Sequence, residues 1–525
     1  MNETADIAIV GAGAAGLAFA WAVAAPGVRV VVLEAGGHVE QRRAPSLEPD
    51  WELALQGAYN ANPNVRRGPA DYPVDDTESA IRPAIFNAVG GSTIRWGAHF
   101  PRFRPSDFRR RSLDGVAGDW PVNYDDVELF YDLNDRMMGV SGLSGDPGNP
   151  PRSPRPCPPL PLCAATEKLA AGFDRLGWHW WPSDAAILSE ARKGRAACNN
   201  CGPCSVGCPR HARASADVAY LEAAEAKGVE LRSGSVVTGL ELAGKGRDVT
   251  GLRYIDSEGS KTLSCGQVVL AGNALGNARL LGDVLDHPLF GRGLMLHPTA
   301  IVTGLFEDKL QSWKGPFGSS LVCQEFYEND AAHGFVGGFQ LQALRGQGPL
   351  TTAQGGYGLR VPWGRDHAGS FDARFGRSVS LTVTCDDLPE DENRIAVHLT
   401  KRDKVGLPVP RMIYRVGENS DRMLRFGIDR ATDALRAAGA KDIAVNPLTR
   451  NAGFHLMGTA RMGSDDSHGV TDSQGRVYGM GNLSIVDAST FVTAAAVNPT
   501  PTLQALALRA AYAMRDARVP EKATA

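Results

Sequence analysis

An α/β fold of more than one domain is predicted by three observations. At 525 residues the chain exceeds a single hydrophobic core. Its first forty residues carry a strand, a glycine-rich turn, an Ala-rich helix and a second strand in immediate succession. Beyond about residue 299 the pattern changes to short alternating runs separated by turns, as in an antiparallel sheet.

The elements follow in order. Asp6–Val10 is a short apolar strand leading into Gly11-Ala12-Gly13-Ala14-Ala15-Gly16. Leu17–Ala25 reads as a helix, and Val28–Leu33 as a second buried strand ending at Glu34. Continuous apolar runs of this kind suit a parallel sheet covered on both faces. Gly11, Gly13 and Gly16 would let the backbone approach a pyrophosphate whose charge sits at the helix N-terminus, and Glu34 would accept from ribose hydroxyls. A bare βα turn would explain the glycines but would leave Glu34 without a role. The fingerprint calls for a dinucleotide and does not separate FAD from NAD. Pro147 to Cys163 holds eight prolines and must be an extended connection. Glu222–Lys227 ends a helix, Val229–Leu242 alternates as one strand, and Val268–Gly272 is another buried strand that turns tightly. Ser378–Thr384 and Arg394–Leu399 belong to the antiparallel region, and a last helix, Leu503–Arg515, follows Pro499 and Pro501.

Composition excludes several classes. Hydrophobic residues are 43%, charged residues 22% and the net charge is −3, so nothing favours nucleic acid or an anionic membrane surface. No apolar stretch is long enough to span a bilayer, and Ile7–Val10 lacks the basic flank of a signal peptide. The expected location is cytoplasmic, with export alongside a signal-bearing partner left open. Nine cysteines are an odd number, poor evidence for a disulfide framework. Four of them, Cys198, Cys201, Cys204 and Cys208, form a C-x2-C-x2-C-x3-C-P run. Bacterial ferredoxins use that spacing. An iron–sulfur cluster, structural zinc and metal-free thiols or a disulfide are the three readings of it.

Three stretches together carry a family resemblance: Gly90-Gly91-Ser92-Thr93-Ile94-Arg95-Trp96-Gly97, Val268 to Leu281, and His455 to Thr502. In these, and over most of its length, the chain resembles the glucose–methanol–choline (GMC) oxidoreductases. Asp119-Trp120-Pro121-Val122-Asn123-Tyr124, followed by Gly139-Val140-Ser141-Gly142, is similar to the branch of gluconate and fructose dehydrogenases, pyranose 2-oxidase and glycoside 3-dehydrogenases. The resemblance implies FAD and a Rossmann-like FAD-binding domain. It implies oxidation of a CH–OH group of a sugar, glycoside or polyol to a carbonyl by hydride transfer to flavin N5. It places Gly90, Gly91 and Ser92 near the isoalloxazine, Val237 against the adenine, Ala271 at the cofactor and Asp487 by the ribityl–pyrophosphate portion. Some relatives link the flavin covalently to a His at or near the position of Arg95; Arg95 cannot do so and His99 is a poor substitute, so noncovalent FAD is expected.

In the family pattern His455 is the base. A neutral imidazole suits removal of a hydroxyl proton near pH 7. Asn498 would bond the same substrate oxygen, and it is also placed to cap the helix that follows. The bland alternative makes His455 a satisfied core histidine, which is the default for the other ten. Membrane-linked sugar dehydrogenases of the family hold an iron–sulfur cluster on a cysteine-rich segment of different spacing. The expected layout is an FAD domain from 1–40, 195–298 and 450–525, flavin-covering insertions with the Pro-rich loop at 41–194, and an antiparallel substrate-binding domain at 299–449. The electron acceptor would be O2, a protein or a quinone, and a small partner subunit is an open option. The rival functions are an O2-using oxidase and a noncatalytic flavin or iron–sulfur electron carrier.

Overall fold

The computed structural model describes residues 3–244 and 246–515; residues 1–2 and 516–525, at the two ends of the expected FAD-domain segments, lie outside them. The N-terminal unit is β1 (Glu3–Val10), α1 (Ala14–Val23) and β2 (Val30–Glu34). Helix α1 starts three residues earlier than its apolar pattern suggests, so the glycine turn closes directly onto its first turn. β1 sits between β2 and the long strand Gly259–Leu270, pairing parallel with both. The C-terminal half of that long strand also pairs parallel with Leu483–Ile485, while its N-terminal half pairs antiparallel with Asp248–Asp256. Seven strands from the beginning, middle and end of the chain thus make one sheet. The expected single strand over Val229–Leu242 is two, Glu230–Ser233 and Val236–Ala243. The break falls at Gly234 (φ +69°), where the amides of Gly234 and Ser235 turn to the carbonyls of Gly36 and Glu34. The first piece pairs with β2 and the second with Asp248–Asp256 on the far edge of the sheet.

A second sheet of six strands runs Asp442–Asn446, Thr299–Leu305, Ser378–Cys385, Phe339–Leu344, Leu321–Cys323 and Trp180–Pro182, antiparallel throughout. Its last strand comes from well before residue 299. Alternation along the strands separates two faces. Ala300, Val302, Leu341, Leu381 and Val383 pack with Met423 and Leu435 of the helix Glu418–Ala437. Thr299, Ile301, Gln342, Thr382 and Thr384, one residue out of phase, line a cavity. Arg394–Arg402 is a strand as expected, but it pairs with Pro408–Ile413 in a separate ribbon, with an isolated bridge from Arg394 to Arg292. Among the described residues no helix is long and apolar enough to cross a membrane.

Candidate active site

The cofactor end of the site follows from strand register. Val10 pairs with Leu33 and with Leu270, and Leu270 pairs with Ile485. Gly11, Glu34, Ala271 and Asp487 therefore emerge side by side at the carboxyl ends of four parallel strands, where open α/β sheets bind nucleotides. Gly11 takes φ +103°, and a Cβ there would stand 2.7 Å from the Ala271 carbonyl oxygen. A Cβ on Gly16 would run into the Gly11 carbonyl. Gly90 donates its amide to the Ala12 carbonyl at 2.8 Å, bringing the Gly90-Gly91-Ser92 turn directly against Gly13. The α1 N-terminus has no side-chain cap, so its first amides are free for an anion.

Glu34 accepts from the amides of Ala12 and Gly36, both at 2.8 Å, and burial pushes its carboxyl up to about 7. It braces the glycine turn as well as facing the cavity. Asp487 accepts from Asn273 N, Asn277 Nδ2 and the amide and hydroxyl of Ser489. Val237 borders the same space. Arg95 also lines it, with no side-chain hydrogen bond or ion pair among the described residues; burial lowers its pKa to about 10. A half-buried cation with no partner among the described residues and uncapped helix amides make a cradle that fits an anionic dinucleotide.

One cavity of about 760 Å3 joins this cradle to His455 and Asn498. His455 is carried on a segment locked to Met295 by reciprocal Met295–Met457 backbone bonds of 3.0 and 3.1 Å. In that antiparallel bridge, two residues on from Met295 is His297 and two back from Met457 is His455. Their Nδ1 atoms lie 2.8 Å apart, and His297 Nε2 is 3.2 Å from the Ala494 carbonyl oxygen. Burial first, then the neighbouring His297 and His99, hold the His455 pKa well below 6.5. Asn498 does not cap the final helix, Thr500–Met514; Pro499 holds that position. Its Oδ1 accepts instead from Gln340 Nε2 at 3.1 Å, and Gln340 Oε1 lies 3.4 Å from His99 Nε2. Burial lowers His99 to about 4.

The sequence assigned no role to His297 or Gln340. The Met295–Met457 pairing that makes His297 a neighbour of His455 spans more than 150 residues and leaves no local pattern.

Cys198, Cys201, Cys204 and Cys208 are all free, on a loop beside the cavity residue Ser205. Burial raises the thiols of Cys198, to about 12, Cys201 and Cys204, while Arg213 and Arg345 oppose this at Cys204. Among the described residues no group of three or more His, Cys, Asp or Glu converges as a metal ion requires, so the iron–sulfur and zinc readings of the run find no assembled donor set.

A Rossmann-like cradle opening into a cavity that ends at a half-buried neutral histidine and an amide defines a dinucleotide-dependent oxidoreductase. Comparison with known proteins makes this specific. Family models described as GMC oxidoreductase match residues 165–299 and 389–507, and one described as an NAD(P)-binding Rossmann-like domain matches residues 9–67. The chain is 34% identical to a 2-methyl-1,2-propanediol dehydrogenase of Mycolicibacterium austroafricanum, over 97% of this chain and 94% of that protein. It is 27% identical to the fructose dehydrogenase large subunit of Gluconobacter japonicus, over 98% of each. Pyridoxine 4-oxidase from Mesorbium loti shares the fold, with a TM-score of 0.68, 19% identity, and coverage of 98% of this chain and all of that one. The chain belongs to the GMC oxidoreductase family and is an FAD-dependent alcohol or sugar oxidoreductase.

Proposed function

We propose that this enzyme oxidises a secondary or primary alcohol of a neutral sugar, glycoside or polyol, with His455 as the base and Asn498 as the group that holds the reacting oxygen. The observation that carries the reading is the single cavity connecting the glycine cradle to these two residues. FAD, when bound, accepts the two electrons of the C–H bond. His455, neutral by burial, takes the hydroxyl proton; Asn498 donates to the same oxygen and stabilises the charge that develops there. Thr299, Thr382, Thr384 and Gln342 offer neutral hydroxyl and amide groups on the cavity's sheet face, which suits an uncharged polyhydroxy substrate. The relatives named for a diol and for fructose support the same class.

FAD is proposed to bind noncovalently through Gly11, Gly13, Gly16, Glu34, Gly90, Gly91, Ser92, Val237, Ala271 and Asp487, in a domain drawn from 1–40, 195–298 and 450–525. Residues 41–194 cover it, apart from Ala164–Leu176 and Trp180–Pro182, which join 299–449 in the substrate domain. Denaturation in acid is expected to release all of the yellow colour; flavin retained on the protein would refute noncovalent attachment. Electrons leave to O2, or to a protein or quinone acceptor that a small partner subunit could serve. A second reading of the exit route puts an iron–sulfur cluster on Cys198, Cys201, Cys204 and Cys208, favoured by their spacing and by the arginines beside Cys204. Iron and sulfide assay of anaerobically prepared protein decides it, and a flavin-only spectrum rejects it.

The decisive experiment is anaerobic flavin bleaching by 2-methyl-1,2-propanediol, D-fructose, a neutral glycoside and a sugar alcohol, repeated in air with peroxide detection. His455→Ala should keep FAD and lose about 10²- to 10⁴-fold in the rate of reduction. Unchanged reduction would remove His455 as the base.

A further inference from the structure

We propose that His297 is a positioning residue that fixes which nitrogen of His455 faces the cavity, and that Gln340 fixes the polarity of the Asn498 amide in the opposite sense. The proposal rests on the reading of His455 as base, and it deepens that reading.

The chain of hydrogen bonds leaves one solution. The Ala494 carbonyl can only accept, so His297 Nε2, 3.2 Å away, must carry a proton. Burial brings the His297 pKa down to about 4, so its ring is neutral and its Nδ1 is a bare lone pair. His455 Nδ1, 2.8 Å from that lone pair, must therefore donate. In a neutral His455 this leaves Nε2 unprotonated, and Nε2 has no hydrogen-bond partner among the described residues. A histidine's tautomer is set by the bond its other nitrogen makes, and here a second histidine, itself oriented by backbone, makes it. When Nε2 receives the hydroxyl proton, the Nδ1–H bond to His297 persists and becomes charge-assisted, with no atom of the pair moving.

Asn498 is set by a separate chain. Gln340 Nε2 donates to Asn498 Oδ1, while Gln340 Oε1 is turned to His99 Nε2. With Oδ1 engaged, the amide presents its Nδ2–H groups. The cavity thus receives one acceptor, from His455, and one donor, from Asn498. A hydroxyl offers one proton and oxygen lone pairs, so the two match it without rotating either side chain. Gln340 and the cavity-facing Gln342 project from the same side of Phe339–Leu344, while the strand's alternate residues face the core.

The test uses the FAD-bound enzyme and whichever alcohol of the panel above bleaches the wild-type flavin. His297→Ala removes the acceptor; His297→Asn offers Oδ1 in its place. His297→Ala should retain FAD, bind the alcohol within about threefold of wild type, and reduce the flavin about 10²-fold more slowly. His297→Asn should recover most of that loss. Gln340→Leu should slow reduction about tenfold, the scale of one misplaced positioning hydrogen bond. A substrate-free readout accompanies these: in the 15N spectrum of histidine-labelled protein, the His455 signal, assigned by its absence in His455→Ala, should report a proton on Nδ1 and none on Nε2. The proposal is overturned if His455 carries its proton on Nε2, if His297→Ala reduces flavin at the wild-type rate, or if a folded His297→Asn is no faster than His297→Ala. Failure of the functional reading is distinguishable: it would appear as rapid reduction in His455→Ala itself.

Discussion

Gly91→Ala places the most direct strain on the site. Gly91 sits at φ +57°, and an added Cβ would lie 2.8 Å from the Cα of Gly13. The left-handed conformation costs a non-glycine residue roughly 1–2 kcal/mol, and an unrelieved backbone contact about 1–3 kcal/mol more. The apoprotein can shed the contact by moving the Gly90–Ser92 turn away from the glycine turn. That turn lines the cavity proposed to hold FAD, so bound FAD would have to push it back, and the energy shed in the apoprotein would reappear as lost affinity. Even about 2 kcal/mol corresponds to roughly thirtyfold in the dissociation constant. Titration of deflavinated protein with FAD, followed by quenching of flavin fluorescence, measures it. Gly27→Ala is the control: Gly27 has φ +79° but nothing within 4 Å of its Cβ position. It should lower the melting temperature slightly and leave FAD affinity alone. Gly91→Ala binding FAD within threefold of wild type, or Gly27→Ala weakening it equally, would refute the reasoning.

Two further predictions concern buried charge. Because the folded pKa of His455 lies below the ordinary 6.5, its base form is fully present above that pH and is lost only as pH falls through the depressed value. The rate of flavin reduction should be level from about pH 6.5 to 8, with its acid limb below 6.5; a limb centred at 7 or higher would contradict the burial argument. Arg95→Met removes a half-buried cation with no partner among the described residues, so the apoprotein should melt higher while FAD binds more weakly. An apoprotein that melts lower would show that Arg95 has a stabilising partner.

Much of the nucleotide half was legible in the sequence because it is local. Gly11, Gly13, Gly16 and Glu34 occupy one βαβ unit, and the turn geometry that needs them is set within 24 residues. The antiparallel character of the second sheet was legible from alternation in Ser378–Cys385, although Trp180–Pro182 joins it from far upstream. The errors were equally physical. A strand broken at Gly234 keeps its alternation, so Val229–Leu242 reads as continuous until Ser235 is seen bonding to Glu34. Asn498 has the composition of a helix cap, but Gln340 claims its oxygen.

By itself the sequence determined which residues could do chemistry: an Ala-rich helix after a glycine turn, a histidine and an asparagine in a recognisable C-terminal pattern, four closely spaced thiols. Tertiary structure alone decided their relations. Parallel register brought Gly11, Glu34, Ala271 and Asp487 to one edge. A two-bond bridge at Met295 and Met457 set His297 against His455. The four thiols, despite their spacing, form no converged metal site among the described residues. The reason is that proton position and ligand geometry depend on distances of about 3 Å, and those are set by contacts between segments far apart in the chain.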